Sequence, residues 1–122
     1  MFARNVSVKL KPGTLAEFTN AMENEILPWL RKQEGFLDEI TLAVPGGREV
    51  LAISFWDQKE NAQAYNSTGY PEALKILKKL LEGAPRVRTF IVVGSTLQKL
   101  APGDKTDMAE VKSAVCSVFG KT

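Results

Sequence analysis

The stretch Val50-Leu51-Ala52-Ile53-Ser54-Phe55-Trp56-Asp57-Gln58-Lys59-Glu60 decides the fold. Side chains alternate across a strand, so Leu51, Ile53 and Phe55 share one face and Val50, Ala52, Ser54 and Trp56 the other. One face is bulky. The other is small and partly polar until it reaches the tryptophan. Neither is a solvent face, so such a strand needs cover on both sides. The chain's own helices supply one cover, and a second copy of the chain is expected to supply the other. The strand ends at Trp56, and Asp57 with Glu60 reads as a capping box that starts a helix at once.

Working outward, Phe2 to Leu10 alternates as a first strand. Phe2, Val6, Val8 and Leu10 lie on one face, interrupted by Arg4, and Ala3, Asn5, Ser7 and Lys9 lie on the other. Pro12-Gly13 ends the strand, and Thr14 with Glu17 reads as another capping box. Leu15, Phe18, Met22, Ile26, Trp29 and Leu30 then recur at helical spacing. Pro28 lies inside that pattern and predicts a kink near Asn24. Gly35 predicts the stop. Phe36 to Val44 and Arg48 to Trp56 form a hairpin about Pro45-Gly46-Gly47. The next helix carries Ala62, Ala64 and Tyr65. It is expected to break at Asn66-Ser67-Thr68-Gly69 and to restart at Pro71, burying Ala73, Leu74, Leu77, Leu80 and Leu81. Arg86 to Leu97 is the fourth strand.

The order is β-α-β-β-α-β: an α+β, ferredoxin-like sandwich with an antiparallel sheet and both helices on one face. This domain takes residues 1–100. Residues 101–122 are expected to be an extension with a short amphipathic helix. Asp107 and Glu110 cap it, and Met108, Val111, Val115 and Phe119 form its stripe. That helix either packs on its own subunit or covers a partner's sheet.

With 122 residues the chain is one domain, and its 44% apolar and 25% charged content is that of a globular protein. A net charge of +2 gives no reason to expect nucleic acid, and no apolar run approaches a membrane span. The single cysteine, Cys116, fits a reducing cytoplasm and reads as a buried, inert thiol. The chain holds no histidine. This removes His-dependent nucleophile systems, histidine-bound metal and a proximal haem histidine. No metal site and no cofactor are expected.

Four features together resemble the antibiotic biosynthesis monooxygenase domain of the dimeric α+β barrel superfamily. They are Lys11-Pro12-Gly13 after the first strand, Thr14-x-x-Glu17, Gly35-Phe36, and a strand ending Phe55-Trp56 before a helix. The resemblance spans residues 2 to about 97. It implies a homodimer whose sheets meet face to face as a barrel, and a small hydrophobic or aromatic ligand. Asn5 and Trp56 are similar to the asparagine and tryptophan of the haem-degrading branch, but its histidine has no counterpart. Haem degradation is therefore not expected, although Tyr65 or Tyr70 could in principle ligate ferric iron.

The quinone-oxidising branch implies a different chemistry: a cofactor-free monooxygenase acting on an electron-rich aromatic or quinone-type substrate, with the protein supplying binding and electrostatics. Trp56, Tyr65, Asn66, Tyr70 and Asn5 are the candidate substrate-binding residues. Each has a plainer reading. Trp56 can be core, Asn5 a satisfied amide, and residues 65–70 a simple turn. Arg86 and Arg88 share a face; they either hold an anion, lie in solvent, or pair with Asp38 and Glu39. A pocket forms if the Asn5 face and the Ser54 face coincide. The alternative function is a non-catalytic dimeric ligand-binding or scaffold domain on the same fold.

Overall fold

The computed structural model describes residues 1–96. The predicted helix over Asp107 to Phe119, Cys116 and the proposed 101–122 extension lie outside those residues. The elements are β1 (Phe2–Lys9), α1 (Leu15–Ala21), a π-helical turn (Met22–Ile26), α2 (Leu27–Arg31), β2 (Phe36–Ala43), β3 (Glu49–Trp56), α3 (Lys59–Leu77), a 3-10 turn (Lys78–Leu80) and β4 (Arg86–Ile91). The four strands form one antiparallel sheet in the order β2-β3-β1-β4. This is the expected ferredoxin-like order. β4 stops at Ile91 rather than Leu97, just before the Val92 N–H donates to the Met1 carbonyl at 3.0 Å.

Register assigns the faces. Phe2 opposes Trp56, Arg4 opposes Ser54, Val6 opposes Ala52 and Val8 opposes Val50. Directly opposed residues share a face. The core shows that this is the helix-covered face, with Phe18, Met22, Ile26, Leu30, Val50, Trp56 and Tyr65 buried together. The small side chains of β3 thus meet the large ones of the helices. The bulky side of β3 is the uncovered one: Leu51 is 36% exposed, with Ile40, Leu42 and Phe90 on the same open face.

Several local expectations are corrected. The Thr14 side chain makes no cap; its hydroxyl donates to the Lys11 carbonyl at 2.7 Å. Nor does Asp57 cap α3. Gln58 holds the N-cap position without a side-chain bond, while Asp57 Oδ1 accepts from Asn61 Nδ2 at 2.8 Å. Leu15 belongs to the predicted stripe but is exposed, at the first residue of α1. The disturbance expected of Pro28 takes the form of a wide turn. Proline cannot supply the amide that Asn24 would receive in an α-helix. The chain instead closes a five-residue ring, with the Leu27 N–H donating to the Met22 carbonyl.

The expected break at residues 66–69 does not occur, and α3 runs unbroken through Pro71. Inside it the Ser67 hydroxyl donates to the Gln63 carbonyl at 3.2 Å and the Thr68 hydroxyl to the Ala64 carbonyl at 2.8 Å, so these polar side chains bond back to their own helix instead of ending it. Tertiary packing then overrides the proline. Gly69 is buried, and its carbonyl accepts from Trp29 Nε1 at 3.0 Å, tying α3 to α2. Helix α2 stops at Arg31, four residues before the expected Gly35, and Gly35 instead sits in the turn that leads into β2, in the left-handed region at φ +80. A Cβ there would also meet the side chains of Asp57 and Asn61, so the site demands glycine twice over.

Candidate active site between sheet and helices

Arg4 stands on β1 among apolar neighbours, and register turns it inward beneath α3. It is only 2% exposed. Its guanidinium lies 4.1 Å from the centre of the Tyr70 ring and 5.3 Å from that of Tyr65, and its Nη2 donates to Asn66 Oδ1 at 2.7 Å. Tyr65, Asn66 and Tyr70 come from one helix, α3, and Arg4 from the strand below it. No carboxylate pairs with Arg4 among the described residues. Its Nε–H is buried and has no hydrogen-bond partner.

A small, partly open cavity of about 50 Å³ adjoins this group. Arg4, Tyr65 and Tyr70 line it together with Ser54, Glu39 and an apolar wall that includes Val6, Val8, Ile26 and Leu30. Arg4, Ser54 and Glu39 form a row across three adjacent strands, since Arg4 opposes Ser54 and Ser54 opposes Glu39. The Glu39 carboxylate accepts from the Thr41 hydroxyl at 3.0 and 2.9 Å.

Burial sets the protonation of these groups. It pushes the Tyr65 phenol up to about 12, against the opposing pull of the Arg4 charge. Burial also raises Tyr70, again opposed by Arg4. It raises the Glu39 carboxyl, which Thr41 partly offsets. Burial lowers the Arg4 guanidinium, while the tyrosines pull the other way. At neutral pH the site is therefore a cation flanked by two neutral phenols.

The sequence candidates separate into three groups. Tyr65 and Tyr70 wall the cavity, and Asn66 reaches it only by holding Arg4. Trp56 does not line it. Fully buried, it stacks on Tyr65 at 5.0 Å, meets Phe36 edge to face, and donates from Nε1 to Ser54 Oγ at 2.9 Å. It is the floor on which Tyr65 rests, which is its core reading. Asn5 is on the opposite side of the sheet, because it opposes Ile53 and Arg88. The Asn5 face and the Ser54 face do not coincide. The residue the sequence reading missed is Arg4. Its signal was present, as a charge on an otherwise apolar strand face.

Arg86 and Arg88 are exposed on the open face. They cannot pair with Asp38 or Glu39 of their own chain, because β4 and β2 are opposite edges of the sheet. A depression of about 490 Å³ on the outer sides of the helices is an open groove lined by Glu17, Asn24, Lys75 and Lys79 among others.

No protein-family model matches the chain, and no curated protein matches it. Solved structures do. A monooxygenase from the ActVA-Orf6 gene of Streptomyces coelicolor, in complex with nanaomycin D, superposes with a TM-score of 0.66 at 21% identity, over 79% of this chain and 90% of that one. A protein from Bordetella bronchiseptica, described as a candidate antibiotic biosynthesis monooxygenase, gives 0.64 at 15% identity over 73% and 93%. The chain has the antibiotic biosynthesis monooxygenase fold. A variant of MhuD with two manganese protoporphyrin IX molecules per active site shares that fold, with a TM-score of 0.66 at 17% identity over 80% and 99%. The antibiotic biosynthesis monooxygenase fold thus carries different ligands in different proteins, and fold alone does not choose among them. No helix among the described residues is long and apolar enough to cross a membrane.

Proposed function

We propose that the cavity beside Arg4 binds a small electron-rich aromatic through an anionic oxygen, and that the protein is a cofactor-free monooxygenase of such a substrate. The observation that carries this reading is the buried guanidinium with an unpartnered Nε–H at the edge of an otherwise apolar space. A phenolate oxygen satisfies that donor and neutralises the charge, and the cation in turn favours the ionised phenol. Tyr70 and Tyr65 orient the guanidinium, while Asn66 fixes its far nitrogen. A phenolate passes an electron to dioxygen unaided. Overall, an activated ring CH2 and O2 give a ring carbonyl and water; four electrons leave the carbon and one oxygen atom enters the product. The monooxygenase of the same fold in complex with nanaomycin D supports this reading over a porphyrin ligand, as does a chain with no histidine.

A second reading, non-catalytic ligand binding, is favoured by the cavity's small size and by Trp56 lying in the core rather than on the wall. An oxygen electrode separates the two. With a tricyclic phenol bearing an activated ring CH2, the first reading expects oxygen uptake and a product in which one oxygen has replaced two hydrogens. Saturable binding without uptake leaves the second, and absence of both ends them together.

The same proposal includes a homodimer with the sheets face to face, in a reducing cytoplasm. Leu51, Ile40, Leu42 and Phe90 stand exposed together on the open face, an apolar patch of the kind that marks an interaction surface. Arg86 and Arg88 stand near one edge of that face and Asp38 near the other, so a two-fold copy can pair them across the interface. Sedimentation velocity at micromolar concentration is expected to give a single dimer boundary; a monomer there refutes the pairing.

A further inference from the structure

Arg4 is a buried cation without a counter-charge. No carboxylate pairs with it among the described residues, and its Nε–H is buried with no hydrogen-bond partner. Its bond to Asn66 is to a neutral amide and its ring contacts are to neutral phenols, so neither cancels the charge. A water at the free donor would satisfy the hydrogen bond and leave the charge as it is. An anion there does both, and the unpaired charge is the costlier of the two defects.

Room and walls restrict what that anion is. Benzene fills an apolar cavity of about 150 Å³, and a water takes up about 30 Å³ of its own liquid. The cavity beside Arg4 offers about 50 Å³. As it stands it has room for an ion of one to a few atoms and none for a ring. Val6, Val8, Leu30 and Ala52 make its wall apolar. The Ser54 hydroxyl is already engaged, accepting from Trp56 Nε1 and donating to the Arg4 carbonyl at 3.4 Å. Glu39 brings an acid to the wall, but its carboxylate is held by the Thr41 hydroxyl, and burial favours its neutral form. One free donor among apolar groups suits a weakly hydrated monovalent ion. A doubly charged oxyanion carries a second charge with no donor to meet it, and fluoride gives up too much hydration.

We infer that the cavity beside Arg4 is a small-anion site, whose ligand is chloride, bromide or an ion of nitrate size held on Arg4 Nε–H. The ion is the resting counter-charge of Arg4. An aromatic anion reaches the same donor only by displacing it and widening the cavity. The inference shares that donor with the oxygenase reading and stands without it.

Chloride nuclear magnetic resonance tests this, because an ion exchanging on and off a slowly tumbling protein broadens the chloride line. Wild-type protein is expected to broaden it, and nitrate to restore the narrow line where sulfate at the same ionic strength does not. Arg4→Met is expected to lose this displaceable broadening. So is Ala52→Val, which keeps the charge and fills the cavity with two methyl groups. Arg88→Met, at an exposed position on the open face of the sheet, is expected to keep it. Broadening that survives Arg4→Met or Ala52→Val belongs to surface cations and overturns the site, as does a wild type that broadens the line no more than Arg4→Met. Oxygen uptake with the tricyclic phenol, in a protein that shows no chloride site, removes this inference alone. A chloride site in a protein that neither binds nor oxidises the phenol supports it and removes only the oxygenase reading.

Discussion

Arg4→Met is expected to raise the stability of the protein and abolish its binding of aromatic anions. The sign follows from what Arg4 has and lacks. Taking a guanidinium out of water costs several kcal/mol even after relaxation. Against this stand one charged hydrogen bond to Asn66, worth about 1.5–3 kcal/mol, and a close ring contact with Tyr70, worth about 2 kcal/mol when desolvated. The unpartnered Nε–H adds a further penalty of about 1–3 kcal/mol. The penalties outweigh the gains, and no carboxylate redresses the balance among the described residues. Methionine keeps much of the side-chain volume and removes the charge, so unfolding in urea is expected to require about 1–3 kcal/mol more. A loss of stability of that size would show that the tyrosines and Asn66 fully compensate the charge, and the case for an anionic ligand would fall with it.

Gly69→Ala is expected to destabilise the protein by about 2–3 kcal/mol. In an exposed helix interior the same change gains about 1 kcal/mol. Here a Cβ would stand 2.5 Å from Tyr65 Cδ1, 2.7 Å from its Cε1 and 3.0 Å from Gln33 Oε1. The Tyr65 ring cannot retreat, because it is 5% exposed and stacked on the fully buried Trp56. Tyr65 belongs to the same helix, so moving α3 does not part the two groups, and the ring has to be forced against Trp56 or out of its rotamer, an overpacking cost of about 1–3 kcal/mol. Denaturant titration measures the change. A gain in stability would mean that the Tyr65 ring is free to turn away from residue 69.

The sheet was legible because alternation is a local property. The first three strands and the hairpin stand close to where the residues put them, while β4 ends short at Ile91 and the first helical segment ends at Arg31, before Gly35. The site was half legible. Tyr65 and Tyr70 line the candidate site and Asn66 holds Arg4, but the sequence had placed them at a helix break that does not exist. What keeps α3 whole is the packing of Gly69 against Trp29 and Tyr65, and no propensity contains it. The exchange of Asn5 for Arg4 has a different cause. Alternation says that the two residues face opposite ways, but only the pairing of Phe2 with Trp56 says which of them faces the helices. The capping boxes failed for a third reason. Thr14 and Asp57 both found nearer partners in their own turns.

The wide turn at Met22–Ile26 has a further meaning in angular terms. The buried residues of this segment, Phe18, Met22, Ile26 and Leu30, recur every four residues. A uniform α-helix advances about 100° per residue, so a four-residue beat slews by about 40° at each step. By Leu30 the stripe would have rotated a third of the way round and left the sheet. A turn with more residues per revolution absorbs that slew and brings the stripe back into phase. Pro28 and the four-residue beat are therefore one instruction written twice: the first forbids the tighter winding, and the second makes sense only with the looser one.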